Sequence, residues 1–216
     1  MTRRADVDRA LDAHCRALAS CRRCGHGNDV RPIISLARRP RVMLVGQAPG
    51  KVESAGGRAF AGRAGKTLFR WLERIGLDES TARERIYIAA ITRCYPGPSP
   101  SGRGDRVPST SERANCATWL DAELQLLRPQ LLIPVGRLAI ERFLPRLPLE
   151  ALIGREHQVE CAGTTMTAIP LPHPSGASSW IHQDDHGELL SRALQLIGDR
   201  LSILGIVPGA SARSVA

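Results

Sequence analysis

Short apolar runs punctuate this chain, and a stretch with helical spacing follows each of them. That alternation leaves few folds open. Arg41 to Gly46 is one such run, and Ile86 to Ile91 is a second. Gln130 to Val135 is a third, and Thr165 to Leu171 a fourth that breaks at Pro170 and Pro172 just before His173. Between them, helical spacing runs through Leu68, Trp71, Leu72 and Ile75 to Gly76, from Ser111 to Leu127 with Ser109 or Ser111 as N-cap, and from Gly136 to Leu144. An Arg-studded helix with Ala5, Leu11 and Leu18 on one face opens the chain, and Glu188 to Leu204 closes it. Strands that are apolar on both faces and alternate with helices predict a three-layer αβα fold around a mostly parallel four-stranded sheet. A single domain over 1–205 is expected, with 206–216 as a flexible tail. In such sheets ligands bind beyond the carboxyl ends of the strands, so the loops beginning at Gly46, Ala90 and His173 should share one mouth.

Charge narrows the partner. The 216 residues carry a formal net charge of +9, and of 30 basic residues only Lys51 and Lys66 are lysine. A GC-rich genome accounts for arginine over lysine, but not for the excess of cations. That excess suits a polyanion such as DNA, whose counterions are released on binding. No run approaches the roughly 18 apolar residues of a membrane helix, and the charged start has no signal core, so a cytoplasmic, DNA-associated monomer is expected.

Six cysteines in a cytoplasmic chain point to metal or catalysis rather than disulfides. Cys21 and Cys24 form a C-x2-C pair, with Cys94 and Cys116 far downstream. Spacing alone leaves zinc and an iron–sulfur cluster open. Cys15 and Cys161 read as buried free thiols.

Two segments resemble a known family. Gly46-Gln47-Ala48-Pro49-Gly50, followed by Gly57-Arg58-Ala59-Phe60-Ala61-Gly62-Arg63-Ala64-Gly65, is similar to motif 1 of the iron–sulfur uracil-DNA glycosylases, the family 4 and family 5 types. His173-Pro174-Ser175 resembles their motif 2. The cysteines match in order as well, so the resemblance spans about 15–203.

It implies a [4Fe–4S] cluster on Cys21, Cys24, Cys94 and Cys116, stapling the N-terminal segment and a long loop to the core. It implies a monofunctional glycosylase of base excision repair that flips uracil, with other deaminated bases as the open alternative, and hydrolyses the N-glycosidic bond to leave an abasic site. His173 is the candidate donor to the O2 of the departing base, helped by backbone N–H groups of Gln47 and Ala48. Phe60 would stack on the flipped base, and Gly50 would leave room at the pocket floor. Ser175 and Gly176 would grip a phosphate. Arg58 and Arg63 read equally as phosphate contacts or as solvated charges. Trp180 and Ile181 stand where the family inserts a wedge, against ordinary packing as the alternative.

Departures from the pattern bear on mechanism and specificity. Gln47 replaces a common glutamate, and Ala48 stands where the best-known uracil glycosylases hold a water-activating aspartate. Glu53 is the nearest carboxylate, able to orient water or simply a solvated loop charge. Ala90 stands where the uracil-selective members carry an asparagine that reads the base, which resembles the broader-specificity branch. The loop from Gly97 to Thr110, with Arg103, Asp105 and Arg106, reads as a flexible surface element. It has no histidine, so no covalent adduct is expected there, and no lysine stands at a nucleophile position, so no lyase activity is expected. One rival reading is a damaged-DNA-binding protein that kept the fold and lost turnover. Another, an α/β hydrolase binding phosphorylated small molecules, is weakened by the absence of a G-x4-G-K-[ST] motif.

Overall fold

The computed structural model describes residues 2–27, 29–37, 40–102, 104–175, 180 and 185–208. Its elements run α1 (Thr2–Ala19), β1 (Val42–Gly46), α2 (Lys51–Gly56), α3 (Arg63–Glu73), α4 (Glu79–Arg85), β2 (Ile86–Ala90), α5 (Thr110–Leu127) and β3 (Leu131–Pro134). They continue with α6 (Arg137–Phe143), α7 (Leu149–Leu152), β4 (His157–Cys161), β5 (Thr164–Ala168) and α8 (His186–Ile203). The sheet order is β2-β1-β3-β5-β4, parallel except for the β4–β5 pair. Every residue of β1 and β3 is buried, as a central strand covered on both faces requires.

The sheet therefore has five strands where the sequence predicts four. The missed strand is β4, joined to β5 by a two-residue turn in which Ala162 and Gly163 both take positive φ (52° and 69°). Two left-handed residues match the twist of an antiparallel hairpin. His157 to Cys161 is largely polar and buries only Val159 fully, which is how an edge strand escapes a search for apolar runs. At the end of the described residues Val207 is buried and Ile206 packs against the core.

Ser109 caps α5 in a reciprocal capping box with Glu112. Beneath that helix lies a buried ionic knot. Glu123, fully buried, accepts from the Tyr87 hydroxyl (2.8 Å), lies 3.2 Å from His14 Nε2 and pairs with Arg93. One carboxylate so ties α1, β2 and the segment after β2 to α5. Burial works against the Arg93 cation, and Glu123, Tyr87 and Cys116 together outweigh it, holding its pKa above the usual value. Among the described residues no helix is long and apolar enough to cross a membrane.

Candidate active site

The parallel register brings the carboxyl end of β1 level with that of β2, pairing Gly46 with Ala90. Val135, just past β3, bridges to Leu171, two residues before His173. The three loops expected to share one mouth do so. They line a cleft of about 700 Å³ that includes Gln47, Ala48, Gly50, Glu53, Phe60, Ala90, His173 and Ser175. Every residue proposed from sequence for catalysis or base binding is therefore in one place.

His173 packs against Gly136, where a Cβ would lie 2.9 Å from the imidazole Cδ2 and φ is +84°. Only glycine suits that point. The Ser175 backbone N–H donates to His173 Nδ1 (3.2 Å), and the Ser175 hydroxyl is 2.9 Å from the same nitrogen. A backbone N–H can only donate, so Nδ1 is the acceptor and Nε2 carries the proton of the neutral ring. Burial lowers the His173 pKa, favouring that neutral form. Ser175, read from sequence as a phosphate grip, is engaged with this histidine. Gly176, its expected companion, lies outside the described residues.

Phe60 is half-buried at φ 53°, with its ring against the end of β1, where a Cβ on Gly46 would come within 2.9 Å of Cζ. The strained turn is held by Arg83, which the sequence reading missed. Its guanidinium donates to the carbonyls of Ala59 (2.8 Å) and Phe60 (3.2 Å) and to Glu79 (2.8 Å), and lies 4.6 Å over the Phe69 ring. Gly65 completes the seat, because a Cβ there would collide with the Phe60 backbone. Alanine usually strengthens a helix by about 1 kcal/mol over glycine. At this position of α3 we expect the reverse. Gly65→Ala should destabilise by about 1–3 kcal/mol, read as a fall in Tm.

The carboxylates are the departure from expectation. Glu53 accepts from the Gly62 N–H through Oε1 (2.9 Å), while Oε2 turns toward Gly50. A Cβ on Gly50 would lie 2.7 Å from Glu53 Oε2 and also 2.7 Å from Asp105 Oδ2. Gly50 leaves room, then, for two acidic side chains. Asp105 comes from the loop read as a flexible surface element, which here makes turn hydrogen bonds of its own. Pro98 and Asp105 form an antiparallel bridge, Ser99 donates to Gly104 (2.9 Å) and Arg106 donates to Gly97 (3.1 Å). Arg106 then grips both oxygens of Glu112 (2.6 and 2.7 Å). Arg103 lies outside the described residues.

Glu112 is held at a pKa of about 2, first by Arg106 and then by its hydrogen bonds from Ser109, with burial opposing. A carboxyl depressed in the fold adds stability fully present above its unfolded value near 4.5, and loses it as pH falls toward about 2. Thermal midpoints measured between pH 5 and pH 2 should fall in that window, and Glu112→Gln should flatten the slope.

Arg63 lines the cleft mouth, whereas Arg58 is paired with Glu79 at 3.2 Å. Trp180 is not available as a wedge. It is 9% exposed, stacks on His186 at 4.1 Å and donates to Glu150 at 2.7 Å. Its neighbour Ile181 lies outside the described residues.

Cys21, Cys24, Cys94 and Cys116 line one pocket beside the cleft, and Arg93 lines both. Cys15 and Cys161 are half-buried and lie apart from it. The C-x2-C turn is fastened to α5, since Arg23 donates to Thr118 (2.9 Å) and lies 4.8 Å over Trp119, and His26 is 3.2 Å from Glu112. Burial and the other three sulfurs push the Cys94 thiol up to about 12, and burial also raises Cys24 and Cys116. Among the described residues no set of three or more His, Cys, Asp or Glu side chains is arranged to hold a metal ion. The pocket wall nonetheless has unmet donors. Thr92 Oγ1 and Arg93 Nε and Nη1 are buried without a partner, and both residues line this pocket. An anionic group bound by four thiolates would supply the acceptors they lack and draw the raised thiols into the thiolate form, so the residues fit such a group.

A mostly parallel sheet whose strands end in a cleft, with Phe60 packed on Gly46 and His173 packed on Gly136, defines an α/β fold with its site beyond the carboxyl ends of the strands. The family model described as the uracil DNA glycosylase superfamily matches residues 35–197, and the chain belongs to that superfamily. Among its relatives, the type-4 uracil-DNA glycosylase of Archaeoglobus fulgidus is 30% identical over 173 residues, covering 77% of this chain and 82% of that protein. The type-4 enzyme of Thermotoga maritima is 30% identical, covering 62% and 65%. A type-5 uracil-DNA glycosylase of Pyrobaculum aerophilum is 32% identical, covering 62% of each.

Proposed function

We propose that this protein is a monofunctional DNA glycosylase of base excision repair, acting as a monomer on uracil and other deaminated bases in DNA. The observation that carries the reading is the neutral His173, held by Ser175 so that its Nε2–H is the free donor in a cleft walled by Phe60. Cleavage of the N-glycosidic bond sends negative charge onto the base and positive charge onto the sugar. A fixed donor at the base's O2 lowers that barrier without reorganising at the moment of reaction. Phe60 offers the flat face on which a flipped base stacks, and Gln47 and Ala48 line the cleft beside it. The net charge of +9 supports DNA as the partner.

Ala90, at the end of β2 and on the cleft wall, has no side-chain amide with which to read uracil's edge. That argues for recognition by shape and stacking, and for more than one accepted base. Cys21, Cys24, Cys94 and Cys116 would hold a [4Fe–4S] cluster, whose role when bound is a cross-link between the C-x2-C turn, the segment after β2 and α5. The fit rests on the shared pocket and on the unmet donors of Thr92 and Arg93. A brown protein absorbing near 400 nm with about four irons per chain is expected; a colourless one with stoichiometric zinc contradicts the cluster.

The test of function is a panel of labelled oligonucleotides, single- and double-stranded, each with one uracil, hypoxanthine or xanthine, treated with protein and then alkali. Cleavage at uracil and at one further base supports the reading. Tight binding without cleavage anywhere on the panel supports a damage-binding protein instead.

A further inference from the structure

Resting on the glycosylase reading, we propose that Asp105 is a catalytic carboxylate of this cleft, supplying from the 97–110 loop the base that motif 1 lacks at Ala48. Hydrolysis needs a group to take a proton from the attacking water and to face the positive charge that grows on the sugar. Ala48 can do neither. Asp105 is brought to the cleft wall by a hairpin, with its Oδ2 directed at the bare Cα of Gly50, beside Glu53 Oε2.

Three features suit it to that work. Its backbone is held from both sides, by the bridge to Pro98 and by Arg106, whose own side chain is clamped on Glu112. A base that is already positioned reacts without waiting for a loop to order. Tyr95 stands near Asp105, and burial followed by that carboxylate raises the pKa of its hydroxyl. Glu53, in contrast, spends Oε1 on the Gly62 N–H, which makes it the more structural of the two.

In the reaction, the C1′–N1 bond breaks with its electron pair passing to the base, whose O2 is held by His173. A bond forms from the water oxygen to C1′, and the water's proton moves to Asp105, which later returns it to solvent or to the base. Atoms and charge balance with water as the sole co-reactant.

The test uses the full-length protein as isolated, with Asp105→Asn and Asp105→Glu variants. Single-turnover excision of uracil is measured beside binding to a duplex carrying a 2′-fluoro-deoxyuridine that resists hydrolysis. Asp105→Asn is expected to lose about 100-fold or more in rate, with binding changed by no more than about twofold and an unchanged melting curve. Asp105→Glu is expected to recover part of the rate. Asparagine at full rate overturns the proposal while leaving the glycosylase reading intact. A parallel loss of binding or of melting temperature in both variants also overturns it, because that is a structural role. A wild-type protein that excises no base on the panel overturns both.

Discussion

Replacing His173 with alanine is expected to lower the rate of base release by about 10²–10³-fold, the usual cost of removing one fixed donor from a developing anion. The size follows from where the ring stands. Gly136 leaves room for it, Ser175 fixes its tautomer, and burial keeps it neutral, so Nε2–H is ready before substrate arrives. Because the interaction strengthens only as charge builds on the base, the loss should appear in kcat and leave KM nearly unchanged. Asparagine can donate but is shorter and is not held by Ser175, so His173→Asn should fall between alanine and wild type. An equal loss in kcat and in affinity for uncleavable DNA contradicts this, since His173 would then only bind.

Glu123→Ala should have the largest effect on stability. The carboxylate is fully buried and its partners come from three places, namely His14 on α1, Tyr87 on β2 and Arg93 just after β2. Arg93 already has two N–H groups without partners, and removing Glu123 leaves its charge buried and uncompensated. Breaking a buried pair by deleting one member costs about 3–5 kcal/mol, which in a chain of this length corresponds to a Tm lower by roughly 10 °C. Tyr87, whose ionisation is pushed up by burial and by Glu123, loses its acceptor as well. Since Arg93 precedes Cys94 and lines the cysteine pocket, the variant should also be isolated with less iron. Thermal melting of the holoprotein with iron content measured alongside checks both effects, and a melting point within about 2 °C of wild type contradicts the account.

The parts legible in the sequence are those written in local pattern. Apolar runs such as Val42 to Val45 announce central strands, because burial on both faces demands them. Loop convergence followed from parallel topology alone, and the four cysteines were recognisable by order. What escaped was set by partners far away in the chain. The edge strand His157–Cys161 buries too little to carry a signal, and α2 sits in a glycine-rich stretch and has no buried residue at all. Arg83 looked like one arginine among many, and only its reach of more than 20 residues back to Ala59 and Phe60 gives it a role. Trp180 sat next to the right motif, yet its ring is taken by His186 and Glu150. Asp105 is the most consequential case. The glycine, proline and serine around it carry no local signal of where it goes, and only the fold brings its carboxylate beside Gly50.

The most direct measurement is the release of free base, followed by mass spectrometry, from a duplex with a single uracil incubated with the as-isolated protein. Free uracil and an intact abasic strand, in equal amounts and both lost in His173→Ala, are the predicted result. Uracil still joined to DNA that the protein binds tightly, or strand cleavage without alkali, contradicts it.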